Sequence, residues 1–134
     1  MKNTIRVVDN EGRDTRFWVQ MGPLFASREV RKEQPFFGAR GYTWLIAEHG
    51  EALMGCAAVN SDNGTIHHVY AIPEARSQGV EDMLIGAAVE FLINSGAKTV
   101  KATERAELAQ AMMNGGFKVV GRRGSYSKLE FQIK

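Results

Sequence analysis

Two adjacent imidazoles and one polar, glycine-containing turn carry most of the chemistry open to this sequence. His67 and His68 can exchange protons near neutral pH, the range in which an ammonium must lose a proton before it attacks anything. A few residues on, Pro73-Glu74-Ala75-Arg76-Ser77-Gln78-Gly79 joins a strand-like stretch to a helix-like one. The first amide N–H groups of a helix lack partners inside it and the helix dipole adds positive potential, so such a junction is an anion site by construction. Cys56 is the single cysteine and has no basic neighbour in sequence to activate it; it reads as a buried thiol rather than a nucleophile. It cannot form an internal disulfide, which makes a cytoplasmic location the default. Alternation along a strand sends His67 and His68 to opposite faces, so they do not begin a metal cluster, and a bulge in the strand would swap which of the two faces the site.

These groups need elements to position them. Ile66 to Ile72 is rich in β-branched and aromatic residues and stops at Pro73. From Val80 onward, Val80, Leu84, Ala87, Ala88, Phe91 and Leu92 recur at helical spacing, and Asn94-Ser95-Gly96 ends a helix running from about Gly79 to Ser95. Upstream, Thr4 to Val8 reads as a strand, and Asp14 or Thr15 can cap a helix whose face is Phe17, Trp18, Met21, Leu24 and Phe25, interrupted near Gly22-Pro23. A further helical turn or two runs through Ser27 to Lys32, followed by a loop at Phe36 to Gly41. Tyr42 to Glu48 and Ala52 to Asn60 form a hairpin across His49-Gly50, and Asn63-Gly64 turns the chain into the strand that ends at Ile72. After Gly96 come a strand, Thr99 to Thr103, a helix, Glu104 to Asn114 with Thr103 as its cap, and two strands, Phe117 to Arg122 and Ser127 to Ile133. The strand ending at Ile72 and the strand Thr99 to Thr103 flank a helix and are expected to be parallel neighbours. The whole predicts an α/β domain over residues 1–134, with a mixed, mostly antiparallel twisted sheet flanked by helices.

Composition excludes little and demands no exotic partner. With 134 residues, 44% hydrophobic and 24% charged, the chain is ordinary for one globular domain. Seventeen Lys plus Arg against fifteen Asp plus Glu give a net charge of +2, which calls for neither nucleic acid nor membrane. No apolar run reaches the length of a membrane span, and the first residues lack a signal-peptide core. Self-association into a homodimer stays open.

The stretch Val69-Tyr70-Ala71-Ile72-Pro73-Glu74-Ala75-Arg76-Ser77-Gln78-Gly79-Val80-Glu81 resembles the acetyl-CoA-binding segment of the GCN5-related N-acetyltransferase (GNAT) superfamily: a hydrophobic strand ending in Pro, then Arg/Gln-x-x-Gly-x-Gly/Ala opening a helix. Arg76 and Gly79 match the first two fixed positions; Glu81 departs from the third. The order of elements agrees with that family over nearly the whole chain. The resemblance implies a GNAT-like fold that uses acetyl-CoA as cosubstrate. It places the pyrophosphate on the loop of Arg76, Ser77, Gln78, Gly79, Val80 and Glu81, and the pantetheine arm on Val69, Tyr70, Ala71 and Ile72. His68, just before Val69 and so beside the thioester end, is the general-base candidate, the alternative being that both histidines are sheet-surface residues satisfied by their neighbours. Many members carry an Asn early in the last helix and a Tyr, the acid for the leaving thiolate, about a turn before the following Gly-Phe. Here those places hold Arg105, which can reach a phosphate or simply sit at the surface, and Met112, which cannot donate a proton. Tyr126, in the last hairpin turn, is a substitute acid or a surface aromatic.

Two functions follow. The first is an acetyl-CoA-dependent N-acetyltransferase in which an amine, on a small molecule or a protein, attacks the thioester directly. The second is a non-catalytic module of the same fold that binds a protein or CoA without turnover, which Glu81 and Met112 favour. A nucleic-acid role rests only on Arg122, Arg123 and Lys128 and is weak. The acceptor is expected between Gln34 to Gly41 and Arg122 to Tyr126.

Overall fold

The computed structural model describes residues 3–9, 14–33 and 42–132. Seven strands form one sheet in the order β1-β2-β3-β4-β5-β7-β6, and every neighbouring pair is antiparallel except β4 and β5. The strands are β1 (Asn3–Val8), β2 (Thr43–His49), β3 (Ala52–Asn60), β4 (Thr65–Ala71), β5 (Thr99–Arg105), β6 (Lys118–Arg123) and β7 (Tyr126–Gln132). The helices are α1 (Thr15–Ala26), α2 (Arg28–Glu33), α3 (Val80–Asn94) and α4 (Ala106–Asn114), and a 3₁₀ segment, Pro73–Gln78, precedes α3. None of the helices is long and apolar enough to cross a membrane.

The sheet is covered on both faces. On one, Val80, Leu84, Ala88 and Leu92 of α3 and Met112 of α4 pack on Leu45, Ala57, Val59, Ile66, Val69 and Ala71. Gly55 permits this close approach: a Cβ there would stand 2.5 Å from the Tyr70 carbonyl oxygen and 3.0 Å from Leu84. On the other face, Phe17 and Met21 of α1 pack on Trp44, Ile46, Cys56, Ala58 and Tyr70. Asp14 caps α1, accepting from the Phe17 N–H at 2.7 Å. Gln20 anchors the same helix to the sheet, accepting from Arg6 at 2.8 Å and donating to the buried Glu48 at 2.6 Å.

Several expectations need correction. Helix α1 runs on through Pro23 to Ala26. The aromatic contacts of Phe17 and Phe25 with Trp44, at 5.4 and 6.0 Å, hold it to the sheet and offset the one helical hydrogen bond that a proline removes. Trp18 is turned to the rim, 42% exposed and edge-on to Phe17. Strand β5 continues two residues past Thr103, because its ladder with β7 extends as far as Arg105 opposite Tyr126. Glu104 is therefore a strand residue, and the N-cap of α4 is Arg105, not Thr103. The same ladder draws Tyr126 out of the turn and into β7. The loop at Phe36 to Gly41, one border of the expected acceptor site, lies outside the described residues.

Candidate active site

The site is built on an irregularity in β4. Cys56 of β3 faces Tyr70, and Ala58, two residues on, faces His67, so β4 spends one residue more than β3 over this span. That extra residue makes a β-bulge, and His68 takes a left-handed conformation there, with φ +53°. A side chain in that region costs about 1–2 kcal/mol, and such strain tends to collect at functional positions. The Cys56 thiol donates to the His68 carbonyl oxygen at 3.7 Å, across the interrupted ladder.

The bulge overturns the expected alternation. Both imidazoles lie on the α1 face. The His68 ring stacks on Trp44, with centroids 6.0 Å apart and planes 13° apart, and meets Tyr42 edge-on at 5.4 Å. The His67 ring is 5.0 Å from that same Tyr42, and its Nε2 lies 2.8 Å from the Thr65 hydroxyl. Burial holds the His67 imidazole below its ordinary pKa. Although the two rings now share a face, no group of three His, Cys, Asp or Glu among the described residues is placed to hold a metal ion.

Past the bulge, β4 parts from β5. Their parallel pairing consists of Thr65 with Lys101 and Ile66 with Ala102 and goes no further. Val69 and Ala71 face α3, and Tyr70 faces α1. The chain then enters the 3₁₀ segment, and Ile72 gives its N–H to the Met54 carbonyl at 2.9 Å. Arg76 folds back onto the strand end: its Nε donates to the Ala71 carbonyl at 3.1 Å and its guanidinium lies 5.4 Å from the centre of the Tyr70 ring. Ser77 lies in the last part of that segment, and the Gln78 amide is tied to the Glu74 carbonyl at 3.2 Å.

Gly79 then turns into α3 with φ +73°, a conformation that glycine adopts without strain, and as the N-cap residue it brings no side chain to cap the helix. A glycine at the N-cap lets a phosphate approach the leading amides of α3 closely. Val80 is buried beneath them, Glu81 is half-buried and Asp82 is exposed. From these first turns an apolar groove of about 300 Å³ runs between α3 and α4, bounded by Ile85, Gly86, Val89, Ala111 and Phe117.

The remaining expected residues are dispersed. Arg105 spreads its guanidinium over the Tyr126 ring, 5.0 Å from its centre, and the two face each other across β5 and β7. Tyr126 is two strands away from β4, about 10 Å or more from the bulge, so the structure does not bring it to His68. Met112 is fully buried in the core. Cys56 is also fully buried, and burial pushes its thiol far up, which fits a structural group.

One residue escaped the sequence reading. Glu104 continues the inward row Val100, Ala102, Glu104 on the α3 and α4 face, while Lys101, Thr103 and Arg105 are exposed. It is 7% exposed, and burial pushes its carboxyl up to about 8, against a lowering by Arg105. Among the described residues no hydrogen bond reaches that carboxyl. The period-two alternation holds the signal, but a strand that ends at Thr103 stops two residues short of Arg105 and leaves Glu104 out.

The fold has many relatives. The chain superimposes on Escherichia coli ElaA with a TM-score of 0.78 at 15% identity, covering 98% of this chain and 100% of ElaA. An acyl-CoA N-acyltransferase from Pseudomonas aeruginosa gives 0.77 at 15% identity, with 97% and 99% covered. An IAA acetyltransferase from Bacillus cereus gives 0.68 at 11%, with 98% and 100% covered. Identities this low speak for the fold alone, and no curated protein matches the chain. In sequence, residues 11–114 match the acetyltransferase (GNAT) family, a span that takes in the bulged strand, the glycine turn and helices α3 and α4. The chain therefore belongs to the acetyltransferase (GNAT) family, and its class of chemistry is acyl transfer from an acyl-CoA donor.

Proposed function

We propose that the chain is an N-acetyltransferase, working in the cytoplasm, that moves the acetyl group of acetyl-CoA to an amine by direct attack. One observation carries this reading: β4, bulged at His68, parts from its parallel neighbour beside a helix N-terminus whose N-cap is a glycine. The gap offers an extended edge, Val69 to Ile72, for the pantetheine amides. The amides from Gln78 to Glu81 take the pyrophosphate, with the helix dipole adding attraction. The side chains of Arg76 and Gln78 support this cradle by being tied back to the chain, at Ala71 and Glu74, and so out of its way.

The acceptor amine arrives as an ammonium and must be neutral to attack. His68, on the α1 face of the gap, takes that proton. The new C–N bond forms as the C–S bond breaks, and the leaving sulfur carries away the electron pair. No covalent enzyme intermediate is involved: Cys56 is sealed in the core and its S–H is engaged by the His68 carbonyl. A non-catalytic binding module is the second reading, and Met112 in the core favours it, since no acid stands at that position.

Calorimetry with acetyl-CoA and CoA, together with CoA release over a panel of arylalkylamines, polyamines and peptide N-termini, separates the two. Binding with turnover of some amine supports the enzyme. Binding without turnover leaves a module that binds CoA, and absence of binding removes the enzyme and leaves a module for a protein partner.

A further inference from the structure

The proton for the departing thiolate has no donor at Met112. We propose that Glu104 supplies it: this buried carboxyl stands across the gap from the bulge, on the cofactor face, and is the acid that protonates the leaving sulfur. The inference rests on the acetyl-transfer reading above.

The last rung between β4 and β5 joins Ile66 to Ala102. Two residues further along each strand, about 7 Å on, stand His68 and Glu104. The strands run parallel, so both lie toward the sheet edge at which α3 begins. They take opposite faces: His68 is on the side of Trp44 and α1, and Glu104 is on the side of Ala102, α3 and α4. An acyl carbon in the gap would thus have a proton acceptor on the amine's side and a proton donor on the cofactor's.

Its surroundings suit a donor. Glu104 faces Ser127 across β7, and that hydroxyl already accepts from Arg122 at 3.2 Å. The other charged groups on the helices packed against this face are Glu107 in the first turn of α4, Glu81 and Asp82 in the first turn of α3, and Glu90, exposed further along α3. His67 and His68 are on the far face. Arg105, the next residue, is the charge that acts on the carboxyl, and it only partly offsets burial. At neutral pH the group therefore holds its proton. A carboxyl pushed up to about 8 is closely matched to an alkyl thiol, which titrates near 8.5, and matched pairs transfer protons efficiently.

The step balances. As the C–S bond breaks, its electron pair stays on sulfur. Sulfur takes the Glu104 proton, giving the CoA thiol and a carboxylate, and solvent reprotonates the carboxylate after product leaves. The ammonium proton goes separately to His68 before attack, and the second proton of the amine nitrogen, shed as the amide forms, goes to solvent.

The test compares the wild type with Glu104→Gln and Glu104→Asp. Infrared difference spectra against Glu104→Gln at pH 7 should show a protonated-carboxyl band, both in the free protein and with CoA bound. In CoA release with acetyl-CoA and the best amine of the panel, Glu104→Gln should lower kcat about 100-fold and leave the acetyl-CoA KM within about twofold. The wild-type rate should fall above pH 8, a limb that Glu104→Gln lacks, and Glu104→Asp should recover part of the rate. An unchanged kcat, a retained high-pH limb, a missing carboxyl band or a loss confined to KM overturns the role of Glu104 while acetyl transfer stands. Absence of turnover on every amine overturns both.

Discussion

Replacing Glu104 by glutamine keeps the shape of a side chain that is 7% exposed and removes its titration. The consequence for stability can be worked out. Burial raises the carboxyl from an ordinary 4.5 to about 8. Between those values the folded chain keeps a proton that the unfolded chain has already released, so stability falls as pH rises through this window and levels off above it. At 1.36 kcal/mol per pH unit, the full window corresponds to roughly 5 kcal/mol, and the part from pH 5 to pH 8 to roughly 4 kcal/mol. Urea unfolding followed by the fluorescence of Trp18 and Trp44, at pH 5, 6, 7 and 8, reads this directly. A comparison at one pH is not enough, because the glutamine amide is also buried and an unsatisfied polar group costs about 1–3 kcal/mol. The diagnostic quantity is the slope with pH. Wild type should lose stability steadily relative to Glu104→Gln across that range. Parallel curves would refute the reasoning, since they would mean that the carboxyl ionises in the folded chain as it does in the unfolded one.

Three further outcomes are expected. His68→Ala should lower kcat/KM by about 10²–10⁴-fold and remove the acidic limb of the pH profile; a wild-type rate and profile would return His68 to a packing role against Trp44. Glu81→Gly should tighten acetyl-CoA binding in calorimetry by removing bulk and negative charge from the first turn of α3, and unchanged affinity would mean that the side chain points away from the phosphates. Cys56→Ser should keep most of its turnover, because a serine hydroxyl can also donate to the His68 carbonyl; trapping an acetylated Cys56 that passes its acetyl group on would overturn direct attack.

Much of the architecture was legible because it rests on periodicity and punctuation. The alternation within the strands, the Asn63-Gly64 turn, the helical spacing of Val80, Leu84 and Ala88, and the glycine stops each act locally and survive folding. What stayed hidden depends on pairing between distant segments. The bulge at His68 appears only when β4 is set against β3, and no residue type announces it. The extension of β5 to Arg105 is imposed by β7, more than twenty residues further on, and with it goes the placement of Glu104. Helix α1 runs through Pro23 because aromatic packing on Trp44 outweighs a local breaker.

The short pairing between β4 and β5 also has a mechanical consequence. The sheet is two ladders, β1 to β4 and β5 to β7, joined along a seam of two residue pairs. The Lys101 N–H donating to the Gly64 carbonyl at 2.8 Å, and α3 lying across the outside, complete the joint. A donor thioester lying in the gap takes the place of the missing rungs and acts as a cross-brace between the ladders. Its binding energy then becomes rigidity: at a hundredfold excess over Kd a ligand adds about 2.7 kcal/mol to stability, and here that gain should fall on the seam. Amide exchange in β5 and in the far half of β4 should slow together when acetyl-CoA is added, while β1 and β2, remote from the brace, exchange as before.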